Sequence, residues 1–142
     1  MVLRRLASTT QVLLLCRTRS LAGEWCQVAG GIEMGEAAWQ TALREIKEET
    51  ALSVDTLYSA DICEQFYEPD RDSITLVPVF VAFVGADEVV TLNDEHSDFR
   101  WVSFDEAERM VPFPGQRHVL AHIRREFVER EPHPLLRIEP TR

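Results

Sequence analysis

Apolar, β-branched segments stand on both sides of one amphipathic helical segment, and a second helical segment closes the chain. That order points to an α/β domain whose mixed sheet is covered on both faces. At 142 residues and 45% hydrophobic, the chain suits one globular domain with a sizeable core. The expected division is residues 1–131 as that domain and 132–142 as a C-terminal tail.

Met1 to Leu6 and Gln11 to Arg17 read as two strands joined by the polar turn Ser8-Thr9-Thr10. Leu21 to Gly35 reads as loop and short strand, punctuated by glycines that permit tight turns. A helix is expected over about Ala37 to Thr50, with Trp39, Ala42, Leu43 and Ile46 as its apolar stripe. Ser53 to Phe66 and Ser73 to Val84 are rich in β-branched and aromatic residues. They read as long strands around the turn Glu68-Pro69-Asp70-Arg71-Asp72. Phe99 to Val102 is a short strand, and Ser103 or Asp105 caps a brief helix through Met110. The last helix runs from about Gly115 to Glu129 and stops before Pro132. The tail is expected to be irregular, with Leu135, Leu136 and Ile138 docking on the body or on a homodimer partner.

A formal charge of −9 argues against broad attraction to nucleic acid polymers or anionic membranes. It leaves a polyphosphate substrate open, because a bound metal inverts the local sign. Cys16, Cys26 and Cys63 are odd in number and lack CxxC spacing, which disfavours a disulfide framework or zinc site. Reduced thiols in the cytoplasm are the expectation. No stretch is long enough to cross a bilayer. Arg4, Arg5, Arg17 and Arg19 superficially suggest a targeting segment, but the apolar run Val12 to Cys16 is too short for a signal core.

The densest chemistry lies in Gly30 to Leu52, a glycine turn followed by a helix ending in Arg44-Glu45-Ile46-Lys47-Glu48-Glu49. On a helix, Glu45, Glu48 and Glu49 stand at i, i+3 and i+4, so their carboxylates share one side. Like charges at that spacing are destabilising unless something positive sits among them. A hard divalent cation with oxygen ligands, Mg2+ or Mn2+, answers that need. A solvated acidic face with an Arg44–Glu48 pair is the plain alternative.

Gly30, five residues, Glu36, seven residues, Arg44-Glu45-Ile46-Lys47-Glu48-Glu49, one residue, then Ala51 and Leu52: this spacing resembles the Nudix box. The one departure is Ala51, where the family usually has glycine. The resemblance implies a Nudix (MutT-like) α/β/α sandwich that hydrolyses nucleoside diphosphates linked to another group. It also implies that Glu45 and Glu49 bind metal and that Glu48 joins as a further ligand or as the base, a role open between Glu48, Glu49 and a downstream acid. Arg44 is expected to orient a glutamate, and Glu36 to cap the helix or support the metal. The carbonyl of Ala29 or Gly30 becomes a further candidate ligand. Asn93-Asp94-Glu95-His96 before Phe99-Arg100-Trp101 resembles a second family feature, which makes Glu95 a metal ligand with Asp94 behind it.

Substrate contacts should come from outside the box. Arg17 aligns with a basic position that often meets phosphate, and Trp25 either lines the groove beside Gly30 and Gly31 or packs in the core. Phe66, Tyr67, Phe113, Gln116 and Arg117 are further candidates, the last two opening a helix whose N-terminal amides favour anions. His118 and His122 share a helix face, but Val119 stands where a zinc protease would need glutamate, and a third ligand is lacking.

The first functional reading is a metal-dependent pyrophosphohydrolase acting on a nucleoside triphosphate or analogue. The subgroup it resembles includes dihydroneopterin triphosphate and dATP pyrophosphohydrolases. Hydrolysis of diadenosine tetraphosphate is the alternative, for which Tyr67 is an ambiguous mark. A nucleotide-sensing module without catalysis is the alternative of another class, although such modules typically lose box glutamates and none is lost here.

Overall fold

The computed structural model describes residues 1–139. Its elements are β1 (Val2–Arg5), β2 (Thr10–Arg17), β3 (Trp25–Cys26), α1 (Ala38–Thr50), β4 (Val54–Glu68) and β5 (Ser73–Val84). They continue with β6 (His96–Val102), α2 (Phe104–Met110), α3 (Pro114–Ile123) and β7 (Arg137–Ile138). The strands form one sheet in which β1 runs parallel to β5 and every other pairing is antiparallel. Val12 pairs with both Leu3 and Val102, and Leu15 with both Cys26 and Phe99. Hence β6 flanks β2 on one side, while β1 and then β3 flank it on the other.

Side chains of a strand alternate between faces, so a strand covered on both sides reads as an unbroken apolar run. In β2, Val12 and Leu14 enter the core beneath α2 and α3, while Leu13 and Leu15 enter the core beneath α1. Leu3 and Val2 divide the same way in β1. The helix stripe behaves as its period requires: Ile46 is buried, and Trp39 and Leu43 pack beside it. Helix α1 therefore lies on one face of the sheet with its charged side turned towards the sheet's edge.

Several boundaries differ from the sequence expectation, among them β4, which runs to Glu68 rather than Phe66, and β2, which takes in Thr10. Strand β6 begins at His96 rather than Phe99, because a register shift at Cys16/Arg17 lets Arg17 pair with His96. The last helix is α-helical only through Ile123 and continues over Arg124–Val128 as a π-turn. Part of the expected irregular tail is ordered, since a 3-10 turn at Pro134–Leu136 leads into β7, which pairs with Leu57 and Tyr58 of β4. Leu136 and Ile138 dock on the two cores, whereas Leu135 stays in solvent. Residues 140–142 of that tail lie outside the described residues.

Helix α1 ends on Ala51, which adopts a left-handed conformation with φ 61° and ψ 5°. Its amide donates to the Lys47 carbonyl at 3.0 Å, so the turn satisfies an end group of the helix. A Cβ is disfavoured in that conformation. Ala51→Gly is therefore expected to stabilise the fold by about 1 kcal/mol. Chemical denaturation checks this: the midpoint should rise with an unchanged m-value.

Candidate active site

Arg44 organises the head of α1. Its Nε donates to Glu36 Oε1 at 2.9 Å, and its Nη2 donates to Glu36 Oε2 at 3.1 Å and to the Gly31 carbonyl at 3.0 Å. Its Nη1 donates to Glu45 Oε1 at 2.6 Å and to Glu48 Oε2 at 3.1 Å. Glu36 also accepts from Thr41 Oγ1 at 2.7 Å and from the Glu33 amide at 3.1 Å. Bonds from Arg44 first, then Thr41 and Glu33, hold the Glu36 carboxyl down at about 2. The Arg44 guanidinium is in turn held firmly charged by Glu36 and Glu45. One planar fork thus ties the glycine turn to the helix.

Helical spacing brings Glu45, Glu48 and Glu49 to one side, yet their environments differ. Glu48 is half-exposed, and Glu45 is mostly covered. The Glu45 carboxylate lies against Gly30, where an added Cβ would come within 2.0 Å of its Cδ and Oε1. Arg44 partners both of these glutamates but not Glu49, which is only 2% exposed. Glu49 Oε2 is buried with no hydrogen-bond partner. Burial first, then the charges of Glu45 and Glu95, push its carboxyl up to about 8. Arg17 and the Ala29 backbone pull the other way without prevailing. A buried carboxylate without a donor is costly, so this oxygen calls for a partner.

Elements distant in sequence close the site. Thr18, just past the end of β2, donates its amide and hydroxyl to the Glu95 carbonyl at 3.1 and 2.9 Å, fixing the loop before β6. The Glu95 side chain is exposed, with a long contact from Asn93 Nδ2 at 3.4 Å. Asp94 points to solvent and meets Arg19 at 3.3 Å. Arg17 donates Nε to the Ser20 carbonyl at 2.6 Å. His96 is buried beside this loop, and its Nδ1 lacks a partner.

A groove of about 1060 Å³ runs from Gly30, Thr41 and Glu45 past Arg17 to the β4–β5 hairpin and the start of α3. Tyr67 and Gln116 line it, as do Phe66 and Phe113. Tyr67 donates its hydroxyl to Asp72 at 2.8 Å, and Gln116 accepts from the Phe113 amide at 3.3 Å. Arg117 points away and donates to the Val111 carbonyl at 3.3 Å. Trp25 does not line the groove: it packs on the core under α2 and α3, with the Arg100 guanidinium 4.9 Å from its ring centre. His122 bonds the Ala60 carbonyl at 2.7 Å, and among the described residues no metal cluster forms around it. Thr41 escaped the sequence reading, because its role depends on Glu36 folding back over the first turn of α1.

Among the described residues, no three Asp, Glu, His or Cys side chains converge at ligand spacing. Glu45 and Glu48 lean on Arg44 while Glu49 faces inward, so the oxygen donors are adjacent without converging. The donor set still fits a hard divalent ion: carboxylates throughout, one of them buried with an oxygen lacking a donor.

A mixed sheet between helices, with a glycine turn leading into a helix of clustered carboxylates, is the arrangement that the Nudix resemblance implies. Residues 1–129 match the NUDIX domain family, and the chain belongs to it. A NUDIX hydrolase from Listeria monocytogenes has the same fold, with a TM-score of 0.76 at 28% identity over 90% of each chain. The asymmetrical bis(5'-nucleosyl)-tetraphosphatase of Caenorhabditis elegans is 27% identical over 114 residues, covering 79% of this chain and 81% of that relative. An octanoyltransferase of Myxococcus xanthus is 35% identical over 112 residues, or 78% of this chain. The chain spans only 31% of that longer protein.

Proposed function

We propose that this Nudix hydrolase cleaves a phosphoanhydride of a nucleoside triphosphate or close analogue, such as dATP or dihydroneopterin triphosphate, releasing pyrophosphate. The observation that carries this reading is Glu49, buried with Oε2 unpartnered, one helical turn from Glu45, which lines an open groove. Glu45, Glu49 and Glu95 would hold Mg2+ or Mn2+, with Glu48 as a further ligand or as the base. Such an ion supplies charge neutralisation at phosphate oxygens and a more acidic water.

The chain's own residues do the rest. Arg44 holds the Glu45 and Glu48 carboxylates in place, and the Thr18 contacts hold the loop that carries Glu95. Arg17 puts a cation at the groove wall, where a phosphate chain would meet it. Gly30 lets the Glu45 carboxylate sit against the turn, and the backbone of Gly30 and Gly31 borders the place where that chain would lie. Tyr67 and Gln116 border the groove as substrate contacts, while Arg117 steadies the start of α3. A small-molecule nucleotide substrate, a cytoplasmic setting and a homodimer complete the proposal.

Hydrolysis of a dinucleoside tetraphosphate is the second reading. It is favoured by the match to the asymmetrical bis(5'-nucleosyl)-tetraphosphatase over 79% of this chain and 81% of that relative. Both readings are tested by incubating the protein with magnesium and dNTPs, dihydroneopterin triphosphate, diadenosine polyphosphates or ADP-ribose, then separating the products by chromatography. Turnover confined to diadenosine polyphosphates would replace the first reading with the second. No turnover of any of them would sink both.

The loop before β6 gives a separate prediction. Glu95→Gln is expected to lower the rate about 10-fold or more and to raise the magnesium concentration needed for half-activation. Asp94→Asn, which loses only an exposed contact to Arg19, should stay within about twofold. Magnesium titrations of both variants decide it, and the reverse ranking would make Asp94 the ligand.

A further inference from the structure

The hairpin wall of the groove carries two glutamates in different circumstances. Glu68 accepts from Thr75 Oγ1 at 2.6 Å and lies 3.5 Å from Arg71 Nε. Glu64 is half-buried, and neither a hydrogen bond nor an ion pair engages its carboxylate among the described residues. It sits on β4 opposite Val77 of β5. Its Cγ is 3.8 Å from where a Cβ on Gly115 would stand, at the start of α3. Burial alone raises its affinity for a proton. A strand position facing valine and a helix is ordinarily apolar, so a half-buried carboxylate that no side chain engages is an acceptor left open to whatever enters the groove.

Among the rings lining the same groove, Phe66 and Phe113 have 42% and 45% of their surfaces exposed. Exposed aromatic faces beside an open acceptor suit a flat heterocycle, which offers a face to stack and an edge to read. We infer that Glu64 reads the 2-amino-4-oxopyrimidine edge shared by guanine and pterins, with the ring held against Phe66 and Phe113. This rests on the nucleoside triphosphate reading above and narrows it to guanine and pterin rings, away from dATP. An ionised carboxylate offers two acceptors and no donor. The guanine or pterin edge presents a ring N–H and an amino N–H side by side, so two parallel bonds form. Adenine presents one amino donor next to a ring-nitrogen acceptor, which would face the second carboxylate oxygen and repel it. An apolar pocket could not discriminate in this way, whereas a polar edge contact gives large ratios.

The test is binding without catalysis. Protein in EDTA is titrated calorimetrically with GMP, neopterin and AMP, using the wild type and Glu64→Gln. The wild type is expected to bind GMP and neopterin at least about 10-fold more tightly than AMP. In Glu64→Gln, the amide offers one acceptor and one donor, the complement of adenine. GMP and neopterin affinity should fall about 10- to 100-fold while AMP affinity holds or rises. A matching thermal midpoint shows that the variant folds, and kcat/KM for dGTP against dihydroneopterin triphosphate separates the two ring sources. The inference is overturned if the wild type shows no preference, if Glu64→Gln keeps it, or if the variant loses all three ligands equally. Failure to hydrolyse any nucleotide would sink the hydrolase reading and leave this binding result standing.

Discussion

Glu49→Gln is expected to lower kcat about 10²- to 10⁴-fold, the loss expected of a carboxylate that holds the metal or serves as the base. In EDTA the same substitution should leave the thermal midpoint unchanged or raise it. The wild-type carboxylate is buried with Oε2 unpartnered, and an uncharged amide is less penalised there. The sign of the pH dependence follows from its raised pKa. The folded protein prefers Glu49 protonated up to about 8, whereas a free side chain ionises near 4.5. Unfolding therefore releases a proton between those values, and metal-free stability should decline as pH rises through that window. Glu49→Gln should flatten that decline. Melting curves across the pH range, together with single-turnover rates in magnesium, test both halves. Equal turnover in the variant would remove Glu49 from the chemistry, and a fall in both rate and stability would make it a structural residue.

Gly30→Ala is expected to lower kcat/KM about 10- to 100-fold with little change in stability. The reason is the approach of Glu45, whose Cδ and Oε1 would lie 2.0 Å from the new Cβ. Its Cγ would lie 2.5 Å away as well, so the whole flexible side chain must swing off its place on Arg44 for the fold to survive. Nothing lies within 4 Å of a Cβ built on Gly31, so Gly31→Ala should behave like the wild type. Steady-state kinetics on the pair separate the close-approach explanation from general turn flexibility, which would make both variants weak. The metal concentration for half-activation should also rise in Gly30→Ala alone.

Much of the molecule was legible in one dimension. Alternation and unbroken apolar runs located β1, β2, β4 and β5 to within a few residues, because burial on one or both faces writes itself into the period of a strand. The i, i+3, i+4 spacing of Glu45, Glu48 and Glu49 follows from helical pitch and needs no tertiary information. Boundaries set by partners were less visible. The early start of β6 depends on a shift at Cys16/Arg17, and β7 exists only because the edge of β4 near Leu57 is open to it.

Side-chain environment was hidden, since it depends on residues far apart in the chain. Spacing shows that three carboxylates share a side of α1. It does not show that one guanidinium reaches two of them and leaves Glu49 buried between Glu45 and the Glu95 loop. Trp25 and Phe66 are both aromatic residues near the groove in sequence terms, yet only packing reveals that one lies under Arg100 and the other on the open wall. Glu64 carries no motif, and its isolation appears only where the start of α3 closes over the hairpin. Periodicity and motif spacing record the angle at which each residue leaves the backbone. What each charge then meets is a long-range property, because electrostatic energy depends on distance and burial that only the assembled sheet and helices establish.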